Sequence, residues 1–232
     1  MTGTVINVVA IVLGSVLGLL FGARLSEQLK STVISGMGLF LIGMGLQMFL
    51  KTENSLVVLG ALAFGTLLGE MWRIEDGLQR LGVFLKSKFS REVDDGSNRF
   101  VRGFLTASLL FCIGPIALLG SIQDGLTGDY NLLVVKSVID GFVSIAFAST
   151  LGIGVAFSAL IILIYQGGVS LLAGQLNAIV NASMMNELTA AGGVLLMGVG
   201  ISNLLEIKKI RVGNMLPALL IAPLIVWVLG LF

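Results

Sequence analysis

The chain has 232 residues, of which 56% are hydrophobic and only 12% are charged. Soluble domains carry roughly a quarter charged residues, so this chain has too little polar surface to cover a core in water. The apolar runs are long and continuous, which excludes the short alternating strands of a transmembrane barrel. The composition therefore predicts an all-α, polytopic helical membrane protein that is embedded in the lipid bilayer.

The residue inventory also excludes several functions. A net charge of +1 gives no basis for binding nucleic acid. There is no histidine, which excludes histidine bases and Ser-His triads, and the single cysteine, Cys112, cannot form a disulfide within the chain or a thiolate metal cage. Only Asp140 clearly lies at membrane depth, whereas an aspartyl pair needs two carboxylates. We therefore expect no enzyme activity, no catalytic residues, no metal and no cofactor.

Eight segments have the roughly 20 apolar residues that cross a bilayer, and together they form a single membrane domain. In chain order they are 4–22, 33–50, 55–71, 101–121, 131–150, 152–173, 188–205 and 216–232. The run from 131 to 173 is too long for one span. We divide it at 149–152, where small and polar residues permit a turn.

The basic residues indicate the orientation. Twelve of the fourteen fall in the loops 23–32, 72–100 and 206–215 or at the first turn of the span that follows. With eight spans, these three loops lie on one side, and the positive-inside rule makes that side the cytoplasm. Both termini are then predicted outside. Within the long inner loop, residues 74–89 have the spacing of an amphipathic helix on the inner leaflet, either a lipid-bound linker or a partner-binding element.

A glycine motif occurs twice. The pattern Gly-x-x-Leu-x-Gly-x-Gly is found at 38–45 and again at 193–200. It pairs spans 1–3 with spans 6–8, and an offset of five spans inverts one copy relative to the other, as in many transporters. Glycine-rich composition alone also produces such similarity. Stripes of small residues in spans 1 and 3 indicate close helix packing or an oligomer interface, and we expect a homo-oligomer.

Span 5 carries two charges at membrane depth. Lys136 and Asp140 are four residues apart and so lie on one helix face, which Ser144 continues. Placing a charged side chain at the bilayer centre costs roughly 3 kcal/mol or more of free energy. Charged residues at this depth therefore indicate a structural or functional role. The pair is either a self-neutralising structural ion pair or part of a path for an ion or substrate.

Other polar or helix-breaking residues extend the candidate pathway. Gly114 and Pro115 break span 4 in the middle, which frees backbone carbonyls and suggests either a ligand site or a packing kink. The remaining candidates lie at the outer mouth or inside other spans, and they are Ser121, Gln123, Asp124, Asn7, Gln47 and Gln166.

Three stretches carry a resemblance to a known family. They are Phe-Cys-Ile-Gly-Pro at 111–115 with Gly-Ser-Ile-Gln-Asp-Gly-Leu-Thr-Gly-Asp at 120–129, Lys-Ser-Val-Ile-Asp-Gly at 136–141, and Phe-Ala-Ser-Thr-Leu-Gly-Ile-Gly at 147–154. With the opening Gly-Thr-Val-Ile-Asn at 3–7, they resemble the bacterial membrane family catalogued as domain of unknown function 554, the YqgA/YdfK-like proteins. The resemblance implies a bacterial plasma-membrane protein and supplies no function.

The sequence favours a transporter of an ion or small solute, with a proton or cation coupled through Asp140. An ion channel is one alternative. Another is a non-transporting signalling or assembly protein that acts through the 74–89 helix.

Overall fold

The computed structural model describes residues 1–89, 96–177 and 180–230, and every regular element in these ranges is a helix. The α-helices in chain order are α1 (Thr2–Gly22), α2 (Glu27–Phe49), α3 (Ser55–Trp72), α4 (Ile74–Phe89), α5 (Gly96–Ile113), α6 (Pro115–Thr127), α7 (Asn131–Leu151), α8 (Ser158–Leu171), α9 (Ala173–Asn177), α10 (Ala182–Val199) and α11 (Ala218–Leu229). Short 3-10 helices precede α8 at Ile153–Val155 and α11 at Val212–Met215, and a π-helix continues α10 at Gly200–Leu204.

The predicted class, an all-helical multi-span membrane protein, is confirmed. Seven helical segments in the described residues are long and apolar enough to cross a bilayer, and α5 and α6 form an eighth candidate bent by 64°. The bend falls at Gly114 and Pro115, where the sequence predicted a broken span. The turn placed at 149–152 lies at Gly152, whose positive φ of 82° suits a residue without a side chain.

Several span boundaries differ from the sequence prediction. α2 begins at Glu27, not at 33, and the broken span ends at Thr127, not at 121. α10 begins at Ala182, not at 188, because the Asn181 side chain caps it by accepting a hydrogen bond from the Met184 backbone N–H at 2.8 Å. The last helix begins at Ala218 after Pro217 and contains Pro223 in its interior. The end of the predicted last span, residues 231 and 232, lies outside the described residues.

The chain divides into two compact units. The first comprises Met1–Gly36, Gln79–Cys112 and Ile116–Ala178, and the second comprises Met37–Leu78, Ile113–Pro115 and Ile179–Phe232. Both consist largely of membrane helices, and the single membrane domain stays a prediction.

In the first unit, α1 and α7 pack backbone against backbone. Along α1, a Cβ at Gly14, Gly18 or Gly22 would overlap backbone atoms of Gly141, Ile145 or Ser149 respectively. Contact positions thus advance by four residues on both helices, so α1 and α7 run parallel. Two spans run parallel when an odd number of spans lies between them. If α2 and α3 each cross the membrane once, a third crossing must precede α7. The bent α5–α6 pair is the segment that can supply it, which supports eight spans.

In the second unit, the close pairs are antiparallel. Gly65 and Gly69 of α3 meet Ala218 and Asn214, in reverse order. Likewise Gly45 of α2 meets Gly193 of α10, and the Gly38 carbonyl lies where a Cβ of Gly200 would be. With eight alternating spans, α3 and α11 are the third and eighth, and α2 and α10 are the second and seventh. The two helices of each pair must then run in opposite directions, as they do here.

Candidate functional site

The candidate site lies in the first unit and begins with an ion pair in the middle of α7. Lys136 Nζ donates to Asp140 Oδ2, and both residues are only 6% exposed. Their four-residue separation puts both side chains on the same helix face, as the sequence predicted. A buried ion pair is weak evidence for stability, because the cost of removing both charges from water offsets much of their attraction.

Two further helices supply neutral polar groups to the same carboxylate. Asn7 Nδ2 on α1 donates to Asp140 Oδ2 at 3.0 Å and approaches Gln166 Oε1 on α8 at 3.4 Å. Both amide side chains are fully buried. Four of the predicted pathway residues, from three helices, are therefore brought together. We call Asn7, Lys136, Asp140 and Gln166 the Asp140 cluster.

An aromatic ring from α5 completes the surroundings of the lysine. Lys136 Nζ lies 5.7 Å from the centre of the Phe111 ring. A ring face at this distance attracts an ammonium group through its quadrupole. Phe111 precedes the α5–α6 bend by a few residues, so this helix also contributes to the site.

Several buried polar atoms near or within the Asp140 cluster have no hydrogen-bond partner among the described residues. Within the cluster they are Asn7 Oδ1 and Gln166 Nε2, and one turn beyond Asp140 is Ser144 Oγ. Elsewhere on α1 they are Ser15 Oγ and Thr4 Oγ1. Ser144 is one turn beyond Asp140 and packs where a Cβ of Gly14 would lie. Buried polar groups are almost always paired, so a ligand or water is expected to supply the missing partners of Asn7, Gln166 and Ser144.

The predicted outer-mouth residues lie in the middle and second half of α6 and form hydrogen bonds within α6 and to neighbouring segments. Asp124 is 3% exposed and its Oδ2 accepts the Gly3 backbone N–H at 3.0 Å, which places negative charge at the first turn of α1. Ser121 donates to its own helix at Ala117 O, and its carbonyl accepts from Ser170 Oγ at 2.9 Å. Gln123 donates to Asp129 at 2.9 Å.

Three further predicted site residues lie in the second unit and are not part of the Asp140 cluster. Gly114 and Pro115 stand at the α5–α6 bend and belong to the second unit. Gln47 is exposed on α2, also in the second unit.

The second unit contains a buried acidic residue that the sequence analysis missed. Glu187 is 2% exposed, and its carboxylate accepts from Thr52 Oγ1 and the Glu53 backbone N–H at 2.7 Å and from the Asn54 backbone N–H at 2.9 Å. Glu187 stands directly before the span predicted over 188–205 and so is not among the residues predicted at membrane depth. Its helical spacing from the buried Ala190 and Ala191 was the available signal.

The sequence analysis also missed Phe111, which lies beside the Asp140 cluster, and Ser15, a buried hydroxyl of α1. Ser15 is eight residues after Asn7, a spacing that repeats one helix face. Phe111 had no polar signal, since its contribution is the face of its ring.

Fold and site together define a polytopic α-helical membrane protein with an ionic cluster buried among its helices. The chain belongs to the family described as Protein of unknown function (DUF554), whose model matches residues 2–227.

Two curated relatives match along nearly their whole length. One is "Uncharacterized membrane protein YdfK" of Bacillus subtilis (strain 168), 33% identical over 236 residues that cover 100% of this chain and 98% of the relative. The other is "Uncharacterized protein YqgA" of Escherichia coli (strain K12), 33% identical over 221 residues that cover 95% and 94%. No solved structure matches the chain.

Proposed function

We propose that this protein is a transporter that moves an ion or small solute across the bacterial plasma membrane through the Asp140 cluster. The observation that carries the proposal is the convergence of an ion pair and two amides from three membrane helices, with the unpaired Ser144 hydroxyl one turn from Asp140. A bundle needs none of these groups to be stable, because apolar side chains of similar volume pack at lower cost. In a membrane, such groups mark substrate and ion pathways.

The orientation belongs to the same proposal. The loops 23–32, 72–100 and 206–215 face the cytoplasm, as their basic residues indicate. α4 (Ile74–Phe89) then lies on the inner leaflet. It exposes Val83 and Phe84 by 52% and 54%, beside Lys86 and Lys88, as expected for a helix at a lipid surface.

The test is transport by the purified protein in liposomes. Currents are recorded on a solid-supported membrane across a panel of ions and pH values, together with a pH-sensitive dye inside the vesicles for electroneutral exchange. Wild type should give substrate-dependent flux, and Asp140→Asn should lose it by at least about tenfold, because the variant lacks the negative charge that binds a cation or proton at the site.

Asp76→Asn is the matched control, since Asp76 lies in the first turn of α4 and outside the first unit. It should keep wild-type flux. Full flux in Asp140→Asn would remove the cluster from the mechanism. Absence of both current and exchange in wild type would contradict transport and favour a signalling or assembly role.

A further inference from the structure

The Asp140 carboxylate already holds a cation, the ammonium group of Lys136. We propose that the carboxylate is a binding site for a monovalent cation, that Lys136 is its tethered resident occupant, and that the transported cation binds by displacing Lys136. The proposal rests on the proposed function and goes further, because it names the class of ligand and the competitor.

Two residues next to Asp140 carry buried oxygen atoms without a hydrogen-bond partner among the described residues. Asp140 accepts both of its hydrogen bonds from described residues on Oδ2, from Lys136 and Asn7. Asn7 Oδ1 and Ser144 Oγ are fully buried and accept nothing from the described residues. One carboxylate with neutral amide and hydroxyl oxygens is a ligand set for a hard cation.

Charge makes the two cations exclusive. The Lys136–Asp140 pair has no net charge, so an added cation beside a bound ammonium would leave one positive charge uncompensated in a medium of low dielectric constant. The added cation therefore binds well only when the ammonium moves away from the carboxylate. Competition for one carboxylate is the direct consequence.

The Phe111 ring is a second partner for the Lys136 ammonium, besides the carboxylate. The ammonium stands on a flexible four-carbon stem, and the Phe111 ring centre is 5.7 Å from it. Contact with the ring compensates part of the charge once the carboxylate is taken by another cation. When no cation is bound, the ammonium returns and keeps the buried site neutral, so an unloaded site is not left with an isolated charge in the membrane.

The experiment measures cation binding directly, without transport. Purified full-length protein in detergent is titrated with LiCl, NaCl or KCl, with choline chloride holding the ionic strength constant, and the midpoint of thermal unfolding reports binding. Lys136→Met removes the tethered competitor. Its apparent Kd for the preferred cation should fall at least about tenfold below that of wild type, because a tethered group acts at millimolar or higher effective concentration.

Two serines of α7 provide a matched pair. Ser144→Ala removes an unpaired buried oxygen and should weaken binding by roughly tenfold. Ser137→Ala should not change the Kd, since Ser137 donates to its own helix at Leu133 O. Lys136→Arg keeps a competing cation and should retain the weak affinity of wild type.

The outcomes separate this inference from the proposed function. An unchanged or weaker Kd in Lys136→Met overturns displacement, even where wild type transports. A tighter Kd without any flux supports displacement and contradicts transport. If Lys136→Met does not fold, the neutral double variant Lys136→Met/Asp140→Asn keeps the packing, and cation binding retained in it would overturn the site.

Discussion

At the scale of single residues, glycines decide how closely the helices of the first unit approach. At Gly14, a Cβ would overlap the Gly141 carbonyl oxygen, whereas a Cβ at Gly43 of α2 would meet nothing within 4 Å in this structure. Both residues lie inside long apolar helices, so their sequence surroundings do not separate them. Only the packing partner does.

Gly14→Ala should therefore lower the free energy of unfolding by roughly 1–3 kcal/mol, the usual cost of forcing extra volume into a packed contact. Gly43→Ala is the control and should leave stability equal or slightly higher, since alanine favours helix by up to about 1 kcal/mol over glycine. Unfolding by denaturant in a fixed detergent measures both. Equal losses in the two variants would contradict the backbone contact between α1 and α7.

At the scale of elements, carboxylates hold the beginnings of two spans. Asp124 accepts from the first turn of α1, and Glu187 accepts from the two residues that precede α3. Helix starts carry unpaired N–H groups and a partial positive charge, so a buried carboxylate there is both hydrogen-bonded and electrostatically favourable. Helix starts thus explain Asp124 and Glu187, whereas Asp140 lies in the middle of α7.

α4 is anchored at its first turn by reciprocal hydrogen bonds. Glu75 Oε2 accepts the Gly213 backbone N–H at 2.6 Å, and the Glu75 N–H donates to Asn214 Oδ1 at 2.7 Å. Burial raises the pKa of the Glu75 carboxyl above its ordinary value of 4.5, although the Gly213 N–H and the charges of Arg211 and Lys209 oppose the shift. The folded state therefore binds a proton at Glu75 more tightly than the unfolded chain does.

The raised pKa of Glu75 predicts how the stability of the folded protein depends on pH. The contribution of Glu75 is complete below pH 4.5 and is lost as pH rises through the folded-state pKa. Glu75→Gln keeps an oxygen for the Gly213 N–H and carries no charge. Thermal unfolding of both proteins from pH 4.5 to 8 should show wild type falling progressively below the variant. A wild type that gains on the variant as pH rises would contradict the direction of the shift.

The packing of α2 against α10 bears on the inverted repeat. The motif equates Gly38 with Gly193 and Gly45 with Gly200, and the structure pairs Gly45 with Gly193 and Gly38 with Gly200. Replacing each residue of the Gly45–Gly193 contact by its equivalent in the other copy gives the Gly38–Gly200 contact. A local two-fold axis between α2 and α10 produces this relation. The inverted repeat of spans 1–3 and 6–8 stays a prediction, and this contact pattern supports it.

At the scale of the whole molecule, the number of crossings fixes which loops share a side. Lys51 follows α2 and Lys208 follows α10, and both side chains are exposed. With eight spans, five crossings separate them and they lie on opposite sides. If the α5–α6 pair turned back without crossing, they would lie on the same side.

Cysteine labelling tests this, because Cys112 is the chain's single cysteine and Cys112→Ser gives a clean background. In intact cells, a membrane-impermeant maleimide should modify Lys51→Cys and leave Lys208→Cys unmodified until the membrane is permeabilised. Modification of both without permeabilisation would contradict eight spans. The reverse pattern would keep eight spans and overturn the orientation.

The sequence by itself determined the class of the protein and much of its helix plan. Long apolar runs can satisfy their backbone hydrogen bonds in lipid only as helices, so composition and run length predict membrane helices. The break at 114–115, the turn near Gly152 and the helix over 74–89 followed from proline, glycine and amphipathic spacing. The Lys136–Asp140 pair followed from the helical repeat, since four residues return to the same face.

Tertiary structure alone decided which distant residues meet. Asn7 is 133 residues from Asp140 and 159 residues from Gln166 in the sequence, yet its side chain donates to both. Gln47, with the same chemistry in a similar apolar run, is exposed on α2. Helix periodicity fixes the face of a residue within one helix, but not which helix that face meets. Which helix is met depends on close backbone packing at glycines such as Gly14 and Gly18. This packing can be seen only after the two helices have been placed against each other.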